Sequence, residues 1–188
     1  MRARPTGVQS QEELDRFYER DADPWRYDDT PDDAARVARL LAALPSLPYE
    51  RTLDIGCGNG FVTARLPGRE IVGVDLSQKA IVHATQRVPS SEGRSFRFLA
   101  RSLFELHPDE LGTFDLVVIT GVLYPQYIGR ASSVATESIR RLLRPGAIVA
   151  CAHIDDWTAH RLPFTTLAMS VDRYREFFHR LEIFQAIG

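Results

Sequence analysis

The alternation of apolar and polar positions divides most of the chain into short buried strands and amphipathic helices. Apolar runs typical of buried strands occur at 52–55, 71–74, 96–99, 114–120 and 147–152. Apolar residues at helical spacing predict helices near 60–66, 77–87, 132–143 and 170–181. Strands that alternate with helices favour an α/β fold with a mostly parallel sheet and helices on both faces. We therefore expect a three-layer α/β/α sandwich.

The first 48 residues follow a different pattern and predict a helical lid, 1–48, beside a sheet-forming core, 49–188. Ser10 and Glu13 have the spacing of a capping box, which begins a helix. A second helix is indicated from Ala34 onward and ends before the prolines at 45 and 48. Because 188 residues suit one domain, the lid and the core are expected to form a single unit, 1–188.

Composition and charge exclude several classes of function. The formal net charge of −2 argues against a nucleic-acid binder that works through a dominant basic surface. Two cysteines do not suggest a disulfide framework, and the first ten residues lack the apolar core of a signal peptide. The most apolar stretch, at 114–123, is too short to span a membrane. We expect a cytoplasmic monomer or homodimer that acts on a small molecule, without nucleic-acid or membrane partners.

The segment LDIGCGNGF, at 53–61, carries the strongest chemical signal and is called the glycine loop below. It follows a predicted strand, where α/β sheets bind ligands, and its G-x-G-x-G spacing differs from that of nicotinamide and flavin sites. Asp54 would repel a pyrophosphate but would support a cationic ligand, directly or by ordering the loop. Asp75 ends the next strand about 20 residues after the first glycine, where an acid accepts ribose hydroxyls. The segment predicts a pocket for a positively charged nucleoside.

Four motifs together resemble the class I S-adenosylmethionine-dependent methyltransferases. They are LDIGCGNG, VGVDLS at 72–77, the strand that opens with Phe114 and Asp115, and LLRPG at 142–146. The resemblance covers about 50–152 and implies a Rossmann-like fold, S-adenosylmethionine as cofactor and methyl transfer as the reaction. It implies that the glycines line the methionine part, Asp75 binds ribose and Leu76 packs on adenine. Ser102 stands where the family usually has an acid, which leaves the Leu103 amide for adenine.

The lid is similar to that of a narrower group, the small N-methyltransferases of nodulation-factor synthesis, which methylate an amine on a chitooligosaccharide. The likeness rests on ADPWRY at 22–27 and LAALP at 41–45. It implies that Trp25 covers the cofactor and that Arg36 reaches the cofactor carboxylate. The alternatives are a surface plug for Trp25 and a solvated helix face for Arg36. The complete set expected to bind the cofactor is Trp25, Arg36, Asp54, Gly56, Cys57, Gly58, Asp75, Leu76, Ser102, Leu103 and Thr120.

The candidate catalytic residues are Tyr124 and His153, which follow the fourth and fifth predicted strands. His153 is either a general base or a structural histidine, and Tyr124 acts in transfer or forms a wall of the channel. His153, Asp155, Asp156 and His160 match no standard metal-ligand spacing, so no metal is expected. The resemblance to the small N-methyltransferases implies methylation of a small-molecule amine, such as an amino sugar or natural-product intermediate. The alternatives are an O-methyltransferase with His153 as base and a non-catalytic cofactor-binding protein.

An acidic segment, 21–33, separates the two predicted lid helices and contains six aspartates and one arginine. It either attracts a cationic amine or is a solvated loop. At the other end of the chain, the family's sheet closes with two antiparallel strands. If 170–181 is a helix, the remaining residues allow a sixth strand and little of a seventh. We therefore expect an incomplete C-terminal sheet, or one completed by another chain.

Overall fold

A computed structural model describes residues 8–158 and 161–187, and a seven-stranded sheet forms its centre. The strands are β1 (Arg51–Ile55), β2 (Glu70–Asp75), β3 (Ser95–Ala100), β4 (Phe114–Thr120), β5 (Leu143–Ile154), β6 (Thr165–Tyr174) and β7 (Phe177–Gln185). Their order across the sheet is β3-β2-β1-β4-β5-β7-β6. Strands β1 to β5 pair in parallel, and β7 is antiparallel to both of its neighbours. The predicted α/β, Rossmann-like fold with a mostly parallel sheet is confirmed.

The helices of the described residues lie before and between the strands. They are α1 (Gln11–Arg20), α2 (Pro31–Ala43), α3 (Gln78–Arg87), α4 (Pro108–Leu111), α5 (Pro125–Ile128) and α6 (Ser132–Arg141). The predicted capping box is present, because Ser10 and Glu13 exchange side-chain and backbone hydrogen bonds at the start of α1. Searched over the described residues, the helices include none with the length and apolarity needed to cross a membrane.

Two apolar layers cover the faces of the sheet. On one face, Ile139 of α6 packs in a cluster with Leu53 of β1 and Val117 of β4. On the other face, Leu40 of α2 packs in a cluster with Leu116 of β4 and further residues of β5 and β7. Because both faces of the central strands are buried, these strands are continuous apolar runs rather than alternating ones. The burial of α2 fixes the lid against the sheet.

The predicted helix at 170–181 is wrong, because these residues form the end of β6, a tight turn and the start of β7. The turn contains no Gly, Pro or Asn, and Arg175 instead adopts a left-handed φ of 52°. Two short strands joined by such a turn place apolar residues at spacings that imitate a helix. The expectation of an incomplete sheet is therefore also wrong, since the described residues supply seven strands.

Two other boundaries differ from prediction. The helix expected near 60–66 is a single 3-10 turn, Thr63–Arg65, because Leu66 precedes Pro67 and is extended. Strand β5 begins at Leu143, earlier than expected, and Pro145-Gly146 lies within it near a shift of register against β4. A proline at the irregular start of a strand costs no regular ladder hydrogen bond.

Candidate active site

A cavity of about 320 Å³ opens at the carboxyl ends of the parallel strands, between the lid and the β6–β7 turn. The sheet brings together most of the residues that the sequence predicted. Those that line the cavity are Trp25, Arg36, Gly56, Cys57, Gly58, Asp75, Leu76, Ser102, Leu103, Thr120 and Tyr124. Asp54 and His153 are the two predicted site residues that do not line it.

The glycine loop requires glycine for both conformation and space. Gly56 and Gly58 have φ values of +76° and +54°, in the left-handed region that side chains disfavour. A Cβ atom on Gly56 would lie 2.1 Å from a methyl group of Val122, and one on Gly58 would lie 2.7 Å from the Tyr18 hydroxyl. The loop backbone therefore packs as closely against its neighbours as the glycines permit.

Asp75 connects the glycine loop to the start of α3. Its carboxylate accepts the Gly58 N–H and the Ser77 N–H, each at 2.9 Å. Burial raises the pKa of the Asp75 carboxyl, while these two backbone N–H groups partly oppose the rise. Asp15 of α1 accepts the Ser77 hydroxyl at 2.6 Å, which attaches the lid at the same place. Asp75 thus orders the loop and borders the cavity with the same carboxylate.

Asp54 lies behind the glycine loop rather than in the cavity. Its side chain is fully buried, and one oxygen accepts the Thr63 hydroxyl at 2.6 Å. Its other oxygen has no hydrogen-bond partner among the described residues. Burial raises the pKa of the Asp54 carboxyl to about 7. Of the two roles considered for Asp54, ordering the loop fits this geometry, and direct contact with a ligand does not.

Arg36 points inward from α2. Only 9% of the residue is exposed, so the alternative of a solvated helix face is wrong. Its Nε donates to Asp33 at 2.6 Å, and its guanidinium carbon lies 5.1 Å from the centre of the Tyr27 ring and 5.8 Å from that of Tyr174. The guanidinium therefore reaches the cavity between two aromatic rings, where cation–π attraction favours it.

Trp25 is half-buried in an aromatic cluster that borders the cavity. Its ring centre lies 5.8 Å from that of Phe17 and 5.4 Å from that of Tyr18. The chain three residues before Trp25 is attached to the glycine loop, because the Asn59 amide donates to the Ala22 carbonyl at 3.0 Å. This position suits both alternatives for Trp25, a lid residue that covers the cofactor and a structural plug against the core.

The residues predicted at the adenine end lie where β2 and β3 end. Leu76, Ser102 and Leu103 line the cavity there, and Thr120 lines it at the end of β4. The Ser102 hydroxyl accepts the Phe104 N–H at 3.3 Å and caps a 3-10 turn, so its oxygen is already bonded to a backbone amide.

Cys57 of the glycine loop has a buried thiol. Burial holds the pKa of this thiol well above its ordinary value, so it stays protonated at neutral pH.

An aromatic wall, formed by Tyr124, Trp157 and Phe177, closes the opposite end of the cavity. The Trp157 ring meets Tyr124 edge-on at 5.6 Å and Phe177 edge-on at 5.3 Å. The Tyr124 oxygen accepts the Ile154 N–H at 2.7 Å, and burial raises the pKa of its hydroxyl. Tyr124 is therefore a protonated, fixed wall residue at neutral pH.

His153 lies outside the cavity, contrary to its predicted role as a base that touches substrate. Its Nε2 accepts the Leu123 N–H at 3.1 Å, and its ring lies behind Tyr124 at 5.3 Å. Successive side chains of a strand point to opposite faces, and the neighbouring Ile154 takes the position that lines the cavity. The structural interpretation of His153 fits this arrangement.

Comparison with known proteins assigns the family. A sequence model described as a methyltransferase domain matches residues 53–149, which is more than half of the chain and includes the glycine loop and Asp75. The chain belongs to this methyltransferase family. Its fold matches the N-methyltransferase NodS from Bradyrhizobium japonicum WM9 in complex with S-adenosyl-L-homocysteine, with a TM-score of 0.77 and 25% identity over 94% of this chain and 97% of NodS. The expected cofactor, S-adenosylmethionine, is confirmed as that of the family.

Curated relatives of this chain differ in the acceptors that their names give. It is 36% identical to thiocyanate methyltransferase 1 of Arabidopsis thaliana over 99 residues, which are 50% of this chain and 43% of that protein. It is 32% identical to the ubiquinone biosynthesis O-methyltransferase of Dechloromonas aromatica over 106 residues, 55% of this chain and 44% of that protein. The chain thus spans about half the length of the curated relatives it matches. Their names leave its acceptor atom open.

Sequence reasoning missed several residues that line the cavity of the methyltransferase. Tyr174, Glu176 and His179 were hidden by the incorrect helix at 170–181, whereas Tyr27 lies in the ADPWRY segment already singled out. Burial, helped by the nearby Arg36 charge, lowers the pKa of His179 to about 4. His179 is therefore a neutral imidazole at physiological pH.

The aspartates of the acidic segment, 21–33, form hydrogen bonds within the protein rather than a binding site for a cationic amine. Its carboxylates accept hydrogen bonds from backbone or side-chain donors, among them Arg87 to Asp28 and Arg26 to Asp29, and none of its aspartates lines the cavity. Of the residues considered as metal ligands, His160 lies outside the described residues. Within 8–158 and 161–187, no three His, Cys, Asp or Glu side chains form a group that could hold a metal ion.

Proposed function

We propose that this chain transfers the methyl group of S-adenosylmethionine to an amine nitrogen of a small molecule. One observation carries the choice of nitrogen: among the residues that the structure describes, no histidine beside the aromatic wall is suited to act as a strong base. His153 lies behind the wall with its Nε2 engaged, and His179 has a pKa near 4. A hydroxyl acceptor needs a base of higher pKa, whereas a neutral amine attacks through its own lone pair.

The described residues fit the cofactor along the length of the cavity. S-Adenosylmethionine supplies a methyl group on a positively charged sulfur, which becomes a neutral thioether as the methyl leaves. Asp75 offers carboxylate oxygens to ribose hydroxyls, and Arg36 offers a planar fork to the carboxylate of the methionine part. The crowding at Gly56 and Gly58 leaves the loop backbone as the surface nearest to the ligand.

Alignment is the main catalytic contribution that this geometry supports. Holding two reactants in line can lower a barrier by roughly 7–11 kcal/mol, and methyl transfer to a neutral amine creates no oxyanion that needs stabilisation. The fixed ring of Tyr124 and the neighbouring Trp157 restrict where an acceptor can lie. We infer that these rings orient the acceptor nitrogen and exclude water, and that solvent takes the proton from the methylated product.

Two measurements test the proposal. Isothermal titration calorimetry with S-adenosyl-L-homocysteine is expected to show binding that Asp75→Ala weakens at least tenfold, because a charge-assisted contact to ribose is lost. Mass spectrometry then follows product formation from a library of amines, alcohols, phenols and thiols with thiocyanate included. Methylated amines are the expected product.

Each negative result has a distinct meaning. Methylated thiols or thiocyanate without methylated amines would refute the choice of nitrogen and favour chemistry like that named for the Arabidopsis relative. Methylated hydroxyls that disappear in His153→Ala would restore the O-methyltransferase alternative. Binding without any product would favour a non-catalytic cofactor-binding protein. Absence of binding by the intact chain would refute the proposal as a whole.

A further inference from the structure

Asp33 of α2 joins two distant parts of the chain through one fully buried carboxylate. Its Oδ1 accepts Arg36 Nε at 2.6 Å and the Tyr174 hydroxyl at 2.9 Å. Its Oδ2 accepts Arg175 Nη2 at 2.5 Å. Asp33 itself has no exposed surface. A carboxylate can accept about four hydrogen bonds, and here three charged or polar donors from α2 and the β6–β7 turn satisfy it.

Two guanidinium groups pair with the single buried carboxylate of Asp33. The guanidinium groups of Arg36 and Arg175 share the Asp33 carboxylate, while the nearby His179 is neutral because its pKa is near 4. Arg36 uses only Nε on Asp33, and its two terminal nitrogens have no hydrogen-bond acceptor among the described residues. The buried cluster is therefore arranged to receive one further negative group from the cavity.

The β6–β7 turn is built to meet the lid. Arg175 adopts its left-handed conformation while its N–H donates to an Asp32 oxygen at 3.1 Å and its Nη2 donates to the Trp25 carbonyl at 2.8 Å. The adjacent Tyr174 is buried, so its hydroxyl is directed to Asp33 in a desolvated setting. A strained turn persists only where its surroundings determine it, which these contacts do.

We propose that Tyr174 and Arg175 are positioning residues for cofactor binding. They hold Asp33, and through it Arg36, so that the terminal nitrogens of Arg36 face the cavity and pair with the cofactor carboxylate. This inference rests on the contact between Arg36 and that carboxylate in the proposed function. It assigns to the β6–β7 hairpin, which supplies Phe177 to the aromatic wall, a second role in holding Arg36 at the cavity.

The test compares two probes that differ in the amino-acid part. S-Adenosyl-L-homocysteine has the carboxylate, whereas 5′-methylthioadenosine retains adenine, ribose and thioether without it. By calorimetry, Tyr174→Phe is expected to raise the Kd of S-adenosyl-L-homocysteine about 5- to 20-fold and to change that of 5′-methylthioadenosine less than twofold. Tyr49→Phe is the matched control, because it also removes a single tyrosine hydrogen bond, to Pro45, outside the cavity. It is expected to leave both affinities unchanged.

Arg36→Gln separates this inference from the proposed function. It is expected to weaken S-adenosyl-L-homocysteine at least tenfold and to spare 5′-methylthioadenosine. In the Arg36→Gln background, Tyr174→Phe is expected to have no further effect, because the residue through which it acts is gone. If Arg36→Gln is selective and Tyr174→Phe weakens both probes equally or neither, the positioning role is refuted alone. If Arg36→Gln is not selective, the contact in the proposed function fails and the inference falls with it.

Discussion

Asp54 lies in the glycine loop segment, yet its side chain is buried behind the loop rather than in the cavity. Buried without a full set of hydrogen bonds, it has a pKa of about 7 against an ordinary value of 3.8. The folded chain therefore binds a proton at Asp54 that the unfolded chain has released. This stabilisation is complete below pH 3.8 and is lost as the pH rises through 7. The free energy of unfolding should fall by about 1.4 kcal/mol per pH unit in between from this group.

Asp54→Asn should remove that dependence, since the amide keeps an oxygen for the Thr63 hydroxyl but does not titrate. Relative to the unchanged chain, the variant is expected to gain stability between pH 5 and pH 8. Urea unfolding of both proteins at the two pH values measures the difference, in which all other titrating groups cancel. An equal difference at pH 5 and pH 8 would contradict the assigned pKa.

Gly58 offers a second prediction at the scale of one residue, with a control elsewhere in the chain. Gly58→Ala should raise the Kd of S-adenosyl-L-homocysteine at least tenfold, because its Cβ would displace the Tyr18 hydroxyl and the loop backbone. Gly93 has φ +78° with no atom within 4 Å of a Cβ, so Gly93→Ala carries only the backbone strain, about 1 kcal/mol. Calorimetry should show unchanged affinity for Gly93→Ala. Equal loss of affinity in both variants would show that crowding at Gly58 is unimportant.

At the scale of elements, the sequence predicts the parallel strands well because each contains a short group of apolar residues between turn signals. The β6–β7 hairpin escapes prediction because its turn, at Arg175, relies on tertiary contacts with Asp32 and Trp25 in place of a Gly or Asn signal. The same reliance on tertiary contacts explains which residues of the site are not predicted from the sequence. Motif residues such as Asp75 are found from sequence, whereas His179 reaches the cavity through the pairing of β7 with β5, and Tyr174 through the pairing of β6 with β7.

The lid supplies a prediction at this scale. Residues 21–30 contact the glycine loop through Asn59 and the β6–β7 turn through Arg175, with few buried apolar side chains of their own. Segments of this kind open at low free energy. Binding of S-adenosyl-L-homocysteine should therefore slow amide hydrogen exchange in 21–30 and 56–60, measured by mass spectrometry, and leave β3 unchanged. Unchanged exchange in 21–30 on saturation would argue that Trp25 is a structural plug rather than part of a lid.

At the scale of the whole molecule, the lid and the core are proposed to unfold as one domain. Leu40 of α2 is buried in the same cluster as strands β4, β5 and β7, and Asp33 is buried against the β6–β7 turn, so separating the lid would expose both. Cooperative unfolding follows when elements share one core. Calorimetric heating should accordingly show a single transition with equal calorimetric and van't Hoff enthalpies. A separate transition for the lid would refute the single domain.

The same experiment with ligand links stability to the site. A ligand that binds only the folded chain at 100 times its Kd stabilises it by about 2.7 kcal/mol. For a chain of this size that corresponds to a rise in Tm of roughly 5–11 °C. Because S-adenosyl-L-homocysteine would contact both Asp75 of the core and Arg36 of the lid, the single transition should move as a whole. In Arg36→Gln the rise should shrink at the same ligand concentration, while a rise equal to that of the unchanged chain would show that Arg36 makes no contact with the bound cofactor.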